Sequence, residues 1–151
     1  MNKKKVKYDE PYELFGIECG DGWKDIIQPI LDYIDNYNID KSEEERITIS
    51  QIKEKFGTLR VYVNNGTEEL REIIRYAEHE SSNTCELCGS KENVGHTLGW
   101  ITTCCEKCVK QLADTNKRTY KWVDNNTSNG EINTYELKPN QEKILISKHK
   151  L

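Results

Sequence analysis

Two pairs of cysteines, Cys85-Glu86-Leu87-Cys88 and Cys105-Glu106-Lys107-Cys108, restrict what this chain can fold into more than any other feature. Residues 89 to 104, sixteen in all, separate the pairs, a spacing typical of paired zinc knuckles. A C-x-x-C turn lets two sulfurs converge on one ion at about 2.3 Å, and Gly89 after the second cysteine permits a tight backbone. The second pair is predicted to open a helix running from Cys105 to about Asp114, so that its i and i+3 side chains share one face. The unpaired N–H groups at that helix end favour thiolate over thiol. Between the pairs, residues 93–96 and 100–103 are predicted to form a hairpin around Leu98-Gly99.

Knuckle, hairpin and ligand-bearing helix is the order of a treble-clef zinc finger. Four thiolates would close the tetrahedron and leave no position for water or substrate. The expected cofactor is therefore one structural Zn2+ per chain, held by Cys85, Cys88, Cys105 and Cys108, which contributes folding energy rather than chemistry. Cys104 beside Cys105 is a complication; Cys105 is preferred because it preserves C-x-x-C, which leaves Cys104 pointing elsewhere. His96 is a competing ligand that would have to displace a thiolate. No catalytic residue is assigned. The H-x-E pattern of zinc deaminases is missing, His79, His96 and His149 are scattered, and Gly16, Gly20 and Gly22 fit no phosphate loop. Cys19 has no histidine before His79 to activate it and reads as a small buried residue or a free thiol. The expectation is a protein that is not an enzyme.

Ahead of the cysteines the periodicities define an α+β layer. Asp21 is a candidate N-cap, and Trp23, Ile26, Ile27, Ile30, Leu31 and Ile34 follow the spacing of one buried helical face. Pro29 predicts a kink, or a helix restarting near Gln28. Ile47 and Ile49 alternate as a half-buried strand, and the phase slip at Ile52 predicts a bulge or a strand end. Leu59, Val61 and Val63 resume inward with Arg60 and Tyr62 outward, giving a hairpin that turns at Gly57. Thr67 can cap a helix with Glu68 and Glu69 in its first turn and Leu70, Ile73, Ile74 and Ala77 on its apolar stripe. Beyond Thr115, Tyr120, Trp122 and Val123 form one run and Ile132, Tyr135 and Leu137 another, joined by the 125–130 turn, with 143–147 a last edge strand. The predicted organisation is a helix–hairpin–helix layer at 1–83, a zinc module at 84–115 and a C-terminal β-hairpin region at 116–151, packed as one unit. Trp23, Trp100 and Trp122 are assigned to core positions, Trp100 as a cover for the zinc module.

Charge is distributed unevenly. Between Tyr8 and Glu45 twelve acids face only Lys24 and Lys41, a net of ten negative charges in a chain whose overall balance is −4. Asp25, Asp32 and Asp35 form a stripe on the first helix, and Glu43, Glu44 and Glu45 follow in a polar loop. Acidic surfaces attract basic partners and repel nucleic acid, so direct DNA or RNA binding is disfavoured. Tyr8, Tyr12, Tyr33, Tyr37, Tyr62 and Tyr76 exceed the needs of a small core, and tyrosines beside acids suit a protein-binding face. No stretch reads as a membrane span or secretory signal, and the paired cysteines fit a reducing compartment, so a cytoplasmic location is expected.

Gly22-Trp23 opening a helix, the run Gln51-Ile52-Lys53-Glu54-Lys55-Phe56-Gly57-Thr58-Leu59-Arg60-Val61-Tyr62, and Thr84-Cys85-Glu86-Leu87-Cys88-Gly89 leading to Trp100 and Cys105-Glu106-Lys107-Cys108 resemble a group of small phage and prophage zinc-finger proteins. In many of these the last ligand is a histidine; here Cys108 takes its place. The tail after Thr115 lies outside the resemblance. Small acidic phage accessory proteins often block host factors, and some inhibit type II CRISPR effector nucleases. The resemblance thus implies a phage accessory protein acting in the bacterial host cytoplasm. Its expected partner is a basic host protein such as a CRISPR effector nuclease, met by Asp25, Asp32, Asp35, Glu43, Glu44 and Glu45. The competing expectation is a nucleic-acid-binding zinc module in phage transcription or packaging, using Lys107, Lys110, Lys117, Arg118 and Lys121.

Overall fold

A computed structural model describes residues 17–126 and 130–150. Among them the chain is a mixed α+β protein with three helices and two sheets, as the hydrophobic periodicities require. Strand β1 (Ile17–Glu18) lies parallel to β2 (Thr48–Lys55), which pairs antiparallel with β3 (Thr58–Asn64). Helices α1 (Lys24–Tyr37) and α2 (Glu68–Ser81) pack on this sheet. The second sheet has the order β5-β4-β6-β7-β8, built from β4 (Val94–Thr97), β5 (Thr103–Cys105), β6 (Tyr120–Asp124), β7 (Glu131–Leu137) and β8 (Ile144–Lys150). Helix α3 (Glu106–Asn116) follows β5 directly.

The apolar face of α1 is the predicted one: Ile26, Ile27, Ile30, Leu31 and Ile34 are buried, each worth about 1.5–3 kcal/mol when fully removed from water. Pro29 does not restart the helix, which runs unbroken from 24 to 37. Both Pro29 and Asp25, whose carbonyl loses its i+4 partner to the proline, lie on the exposed side, where water can satisfy the carbonyl. Asp21 is not the N-cap: it sits inside a short 3-10 turn, Asp21–Trp23, whose capping residue is Gly20.

The phase slip at Ile52 is a bulge, with the register of β2 against β3 shifting between Ile49 and Gln51. It lets Ile47, Ile52, Leu59 and Val61 all reach the core. Phe56 and Gly57 form the two-residue hairpin turn, both at positive φ (52° and 83°), as the right-handed strand twist demands. Thr67 caps α2, its hydroxyl accepting the Leu70 N–H at 3.0 Å and meeting the Tyr33 hydroxyl at 2.7 Å. At its other end, α2 covers the free edge of β3. The Ser81 hydroxyl accepts the Leu59 N–H at 2.9 Å, and a Glu78 carboxylate oxygen accepts the Val61 N–H at 3.1 Å.

The C-terminal residues form the hairpin and the last edge strand that the sequence predicts, the latter running on to Lys150. Three strands extend the β4–β5 hairpin through the β4–β6 pairing, so the tail completes the cysteine-bearing half. Trp122 and Leu137 are fully buried there against Val94, Val109 and Ala113. Gly95 makes this possible: a Cβ at that position would lie 2.1 Å from the Val123 carbonyl and 2.6 Å from the Trp122 ring. Among the described residues, no helix is long and apolar enough to cross a membrane. Tyr8 and Tyr12, with Asp9, Glu10 and Glu13 of the acidic run, lie outside the described residues, as do positions 127–129 of the turn before β7.

Candidate metal centre

Cys85, Cys88, Cys105 and Cys108 converge, their sulfurs all within 4.8 Å of one another, and none forms a disulfide. The Cys88 and Cys105 sulfurs are 3.7 Å apart. An ion held tetrahedrally by sulfurs at about 2.3 Å needs an edge of about 3.8 Å, whereas a disulfide needs about 2.05 Å. The four residues therefore fit one thiophilic ion of that size.

Local backbone chemistry builds each half of this cluster. In the 85–89 knuckle the Gly89 N–H donates to the Cys85 carbonyl at 2.9 Å, and the Cys88 N–H points at the Cys85 sulfur at 3.5 Å. On the opposite side Cys105 is the N-cap residue of α3 rather than its first helical residue, and Cys108 lies in the first turn. Helix ends leave N–H groups without partners, and the Cys108 backbone N–H stabilises the Cys105 thiolate. Burial nevertheless pushes the Cys105 and Cys108 thiols above their ordinary values, with hydrogen bonds to the neighbouring sulfurs adding to the effect at Cys108. At Cys88 burial acts in the same sense, but hydrogen bonds from the Ser90 backbone and the other three cysteines outweigh it. Cys88 is thus held below its ordinary value. It is also the exposed member of the set, while Cys85, Cys105 and Cys108 are buried.

Cys104 faces away, as its neighbour's assignment requires. It is fully buried in the second core, and its carbonyl accepts the Trp122 indole N–H at 3.0 Å. Burial, with the adjacent cysteines and Glu86, pushes its thiol up to about 12. His96 is not a ligand in this arrangement; its Nδ1 meets the Asn125 side-chain oxygen at 3.0 Å. Cys19 is half-buried beside the first core, its thiol also pushed up to about 12 by burial and then by Glu86, Asp21 and Glu54.

The knuckle is docked on the N-terminal layer through contacts the sequence did not reveal. The Gly22 N–H donates to the Glu86 carbonyl at 2.7 Å, the Gly20 N–H to a Glu86 carboxylate oxygen at 2.9 Å, and the Trp23 indole to the Thr84 carbonyl at 2.9 Å. A Cβ on Gly22 would sit 2.2 Å from the Cys85 carbonyl, so only glycine admits this approach. On the far side the Thr103 hydroxyl donates to the Gly57 carbonyl at 2.6 Å. The pair Gly22-Trp23 is thus a docking motif for the cysteine knuckle.

The candidate partner residues lie on two consecutive segments. Asp25 and Asp35 on α1 and Glu43, Glu44 and Glu45 in the following turn are exposed, whereas Asp32 is half-buried and accepts a hydrogen bond from Gln28 at 2.9 Å. The turn is held by Asn38, whose side chain bonds both the N–H and the carbonyl of Ile47 at 2.9 Å, and by Asn65, which donates to the Glu44 and Arg46 carbonyls. Asp25 also borders a cleft of about 380 Å³ between α1, α2 and the knuckle, together with Pro29, Ile73, Tyr76 and Cys88. Of the basic residues considered for nucleic acid, Lys107, Lys117, Arg118 and Lys121 are exposed, and Lys110 is engaged by the Gln141 carbonyl at 2.8 Å. Trp100 overturns its assignment to the core: it is 81% exposed, at the tip of the β4–β5 hairpin, where Gly99 turns the chain away from both cores.

The fold and the cluster together define a mixed α+β protein with a four-cysteine centre able to hold a metal ion. Compared with protein-family models, with curated proteins and with solved structures, the chain finds no match in any of the three.

Proposed function

We propose that this chain is a non-catalytic phage accessory protein, stabilised by one structural Zn2+, that binds and inhibits a basic host protein of the type II CRISPR effector nuclease class in the bacterial cytoplasm. The metal reading draws on the all-sulfur donor set, which suits zinc and saturates its tetrahedron, leaving no position for an activated water. The order of knuckle, hairpin and helix bearing the last ligand supports a treble-clef reading of this half.

The observation that carries the partner reading is the exposure of Asp25, Asp35, Glu43, Glu44 and Glu45 along α1 and the turn that follows it, with that turn pinned rather than loose. Such a surface accelerates encounter with a nuclease whose nucleic-acid channel is basic, and the attraction weakens as salt rises. A prepositioned turn also loses less entropy on binding. The test is cleavage of a target duplex by a guide-loaded type II effector in low salt, with and without the zinc-loaded protein. Inhibition should weaken with salt and be lost when Asp25, Asp35, Glu43, Glu44 and Glu45 are changed to lysine. Undiminished cleavage at large molar excess of the protein would overturn the proposal. The nucleic-acid alternative predicts instead direct binding of DNA or RNA with a steep salt slope.

A further inference from the structure

We infer that the metal centre also builds a second interaction surface, centred on Trp100, for a partner segment that carries carboxylates next to apolar side chains. Its lining comes from each element that supplies a ligand. Leu87 sits between the two knuckle cysteines, Trp100 tips the hairpin, and Leu112 stands one turn beyond Cys108 on α3. Arg118 and Tyr120 complete a cavity of about 350 Å³.

Trp100 is displayed rather than left loose. The Thr97 hydroxyl donates to the Trp100 carbonyl at 2.7 Å and accepts the Thr102 N–H at 2.9 Å, while the Leu98 N–H donates to the Lys121 carbonyl at 2.9 Å. Leu87, which lines the same cavity, and Leu98, two residues before Trp100, are also exposed, so Trp100 is not a single stray side chain. Trp, Tyr and Arg are the residue types that dominate binding energy at protein interfaces, and surfaces already ordered lose little entropy on binding.

Charge selects the occupant. In a chain with a net charge of −4, no acidic side chain lines this cavity, and its one charged group is Arg118. The guanidinium lies 4.6 Å from the Tyr120 ring centroid and, among the described residues, has no carboxylate partner. A guanidinium stacked on a ring keeps its N–H fork free for a carboxylate. Leu87 and Leu112 make a peptide a better occupant than an unpaired nucleic-acid strand, which would call for further cations lining the cavity.

The test exploits the other two tryptophans, Trp23 and Trp122, both fully buried, so that the solvent-exposed fluorescence belongs to Trp100. Zinc-loaded full-length protein is titrated with a short peptide alternating glutamate with leucine and phenylalanine, with its lysine-for-glutamate counterpart, and with oligothymidylate. The acidic peptide should shift the exposed emission to the blue and saturate; Arg118→Gln, followed by the same emission, and Trp100→Ala, which lacks that reporter and is followed by titration calorimetry, should each weaken its binding about tenfold or more, with zinc content unchanged. Should either variant lose its metal, amide shift perturbations in the parent protein confined to 97–102, Leu87 and Tyr120 provide the same decision. Equal binding of the lysine peptide, a response to oligothymidylate alone, or no response to any probe would each overturn the inference. The host nuclease takes no part in this experiment, so its outcome is separate from that of the proposed inhibition.

Discussion

Adjacent cysteines at 104 and 105 serve different ends because a strand pleat sends neighbouring side chains to opposite faces. Cys105 reaches the cluster and Cys104 fills the core beside Trp122. Cys105→Ser should therefore abolish stoichiometric metal binding, whereas Cys104→Ser should retain it, as measured by elemental analysis of purified protein; metal retained by Cys105→Ser would reverse the assignment. Cys19 permits a pH prediction. Its folded thiol stands at about 12, above its unfolded value, so its contribution to stability is present below the unfolded pKa and fades as pH rises through the folded one. Denaturation midpoints should fall on the alkaline side, from about pH 8.5 upward, and Cys19→Ala should flatten that decline. Iodoacetamide at mildly alkaline pH should modify Cys19 far more slowly in the native protein than in denaturant, since the thiolate is the nucleophile.

Among the elements, those with a strong internal period match the sequence closely, and those whose form depends on a distant partner do not. The apolar faces of α1 and α2, the Thr67 cap and the slip at Ile52 are local signals, each legible within a few residues. Thr67→Ala should cost about 1–2 kcal/mol in denaturant unfolding, since it removes the cap and orphans the Tyr33 hydroxyl. The C-x-x-C spacing was equally legible, because one ion needs four sulfurs at fixed separations. Hidden instead were the long-range pairings: the parallel strand at Ile17, the β4–β6 pairing that draws in the tail, and the contact of Gly22 with Cys85. Trp100 departs from its expected core position because bulk apolar character alone favours a core, while the Leu98-Gly99 turn that lifts it into solvent is a local backbone effect. Gly95→Ala tests one hidden pairing directly: the clash with the Trp122 ring should cost about 1–3 kcal/mol or more, seen as a lowered denaturation midpoint.

At the scale of the whole molecule the candidate metal centre belongs to the second core, and hydrogen bonds to backbone carbonyls join that core to the first. The Trp23 indole, at the head of α1, holds the Thr84 carbonyl immediately before the first ligand, and the Thr103 hydroxyl, two residues before the third, holds the hairpin turn at Gly57. Losing the ion should therefore register in the N-terminal layer as well as in the cysteine-bearing half. Protons compete with metal for the thiolates, and burial favours the protonated forms of Cys105 and Cys108. Metal-linked stability is accordingly present at high pH and lost as pH falls, with release expected on acidification. In a Trp100→Phe background, Trp23 and Trp122 are the remaining fluorophores, both dry in the native fold. Chelation at neutral pH, or acidification, should shift their emission to the red in step with metal release. The Trp23 component can be isolated by adding Trp122→Phe. A Trp23 emission that stays blue after the last of the metal has left would show that the first layer stands without its neighbour, and that Gly22-Trp23 positions the knuckle without depending on it.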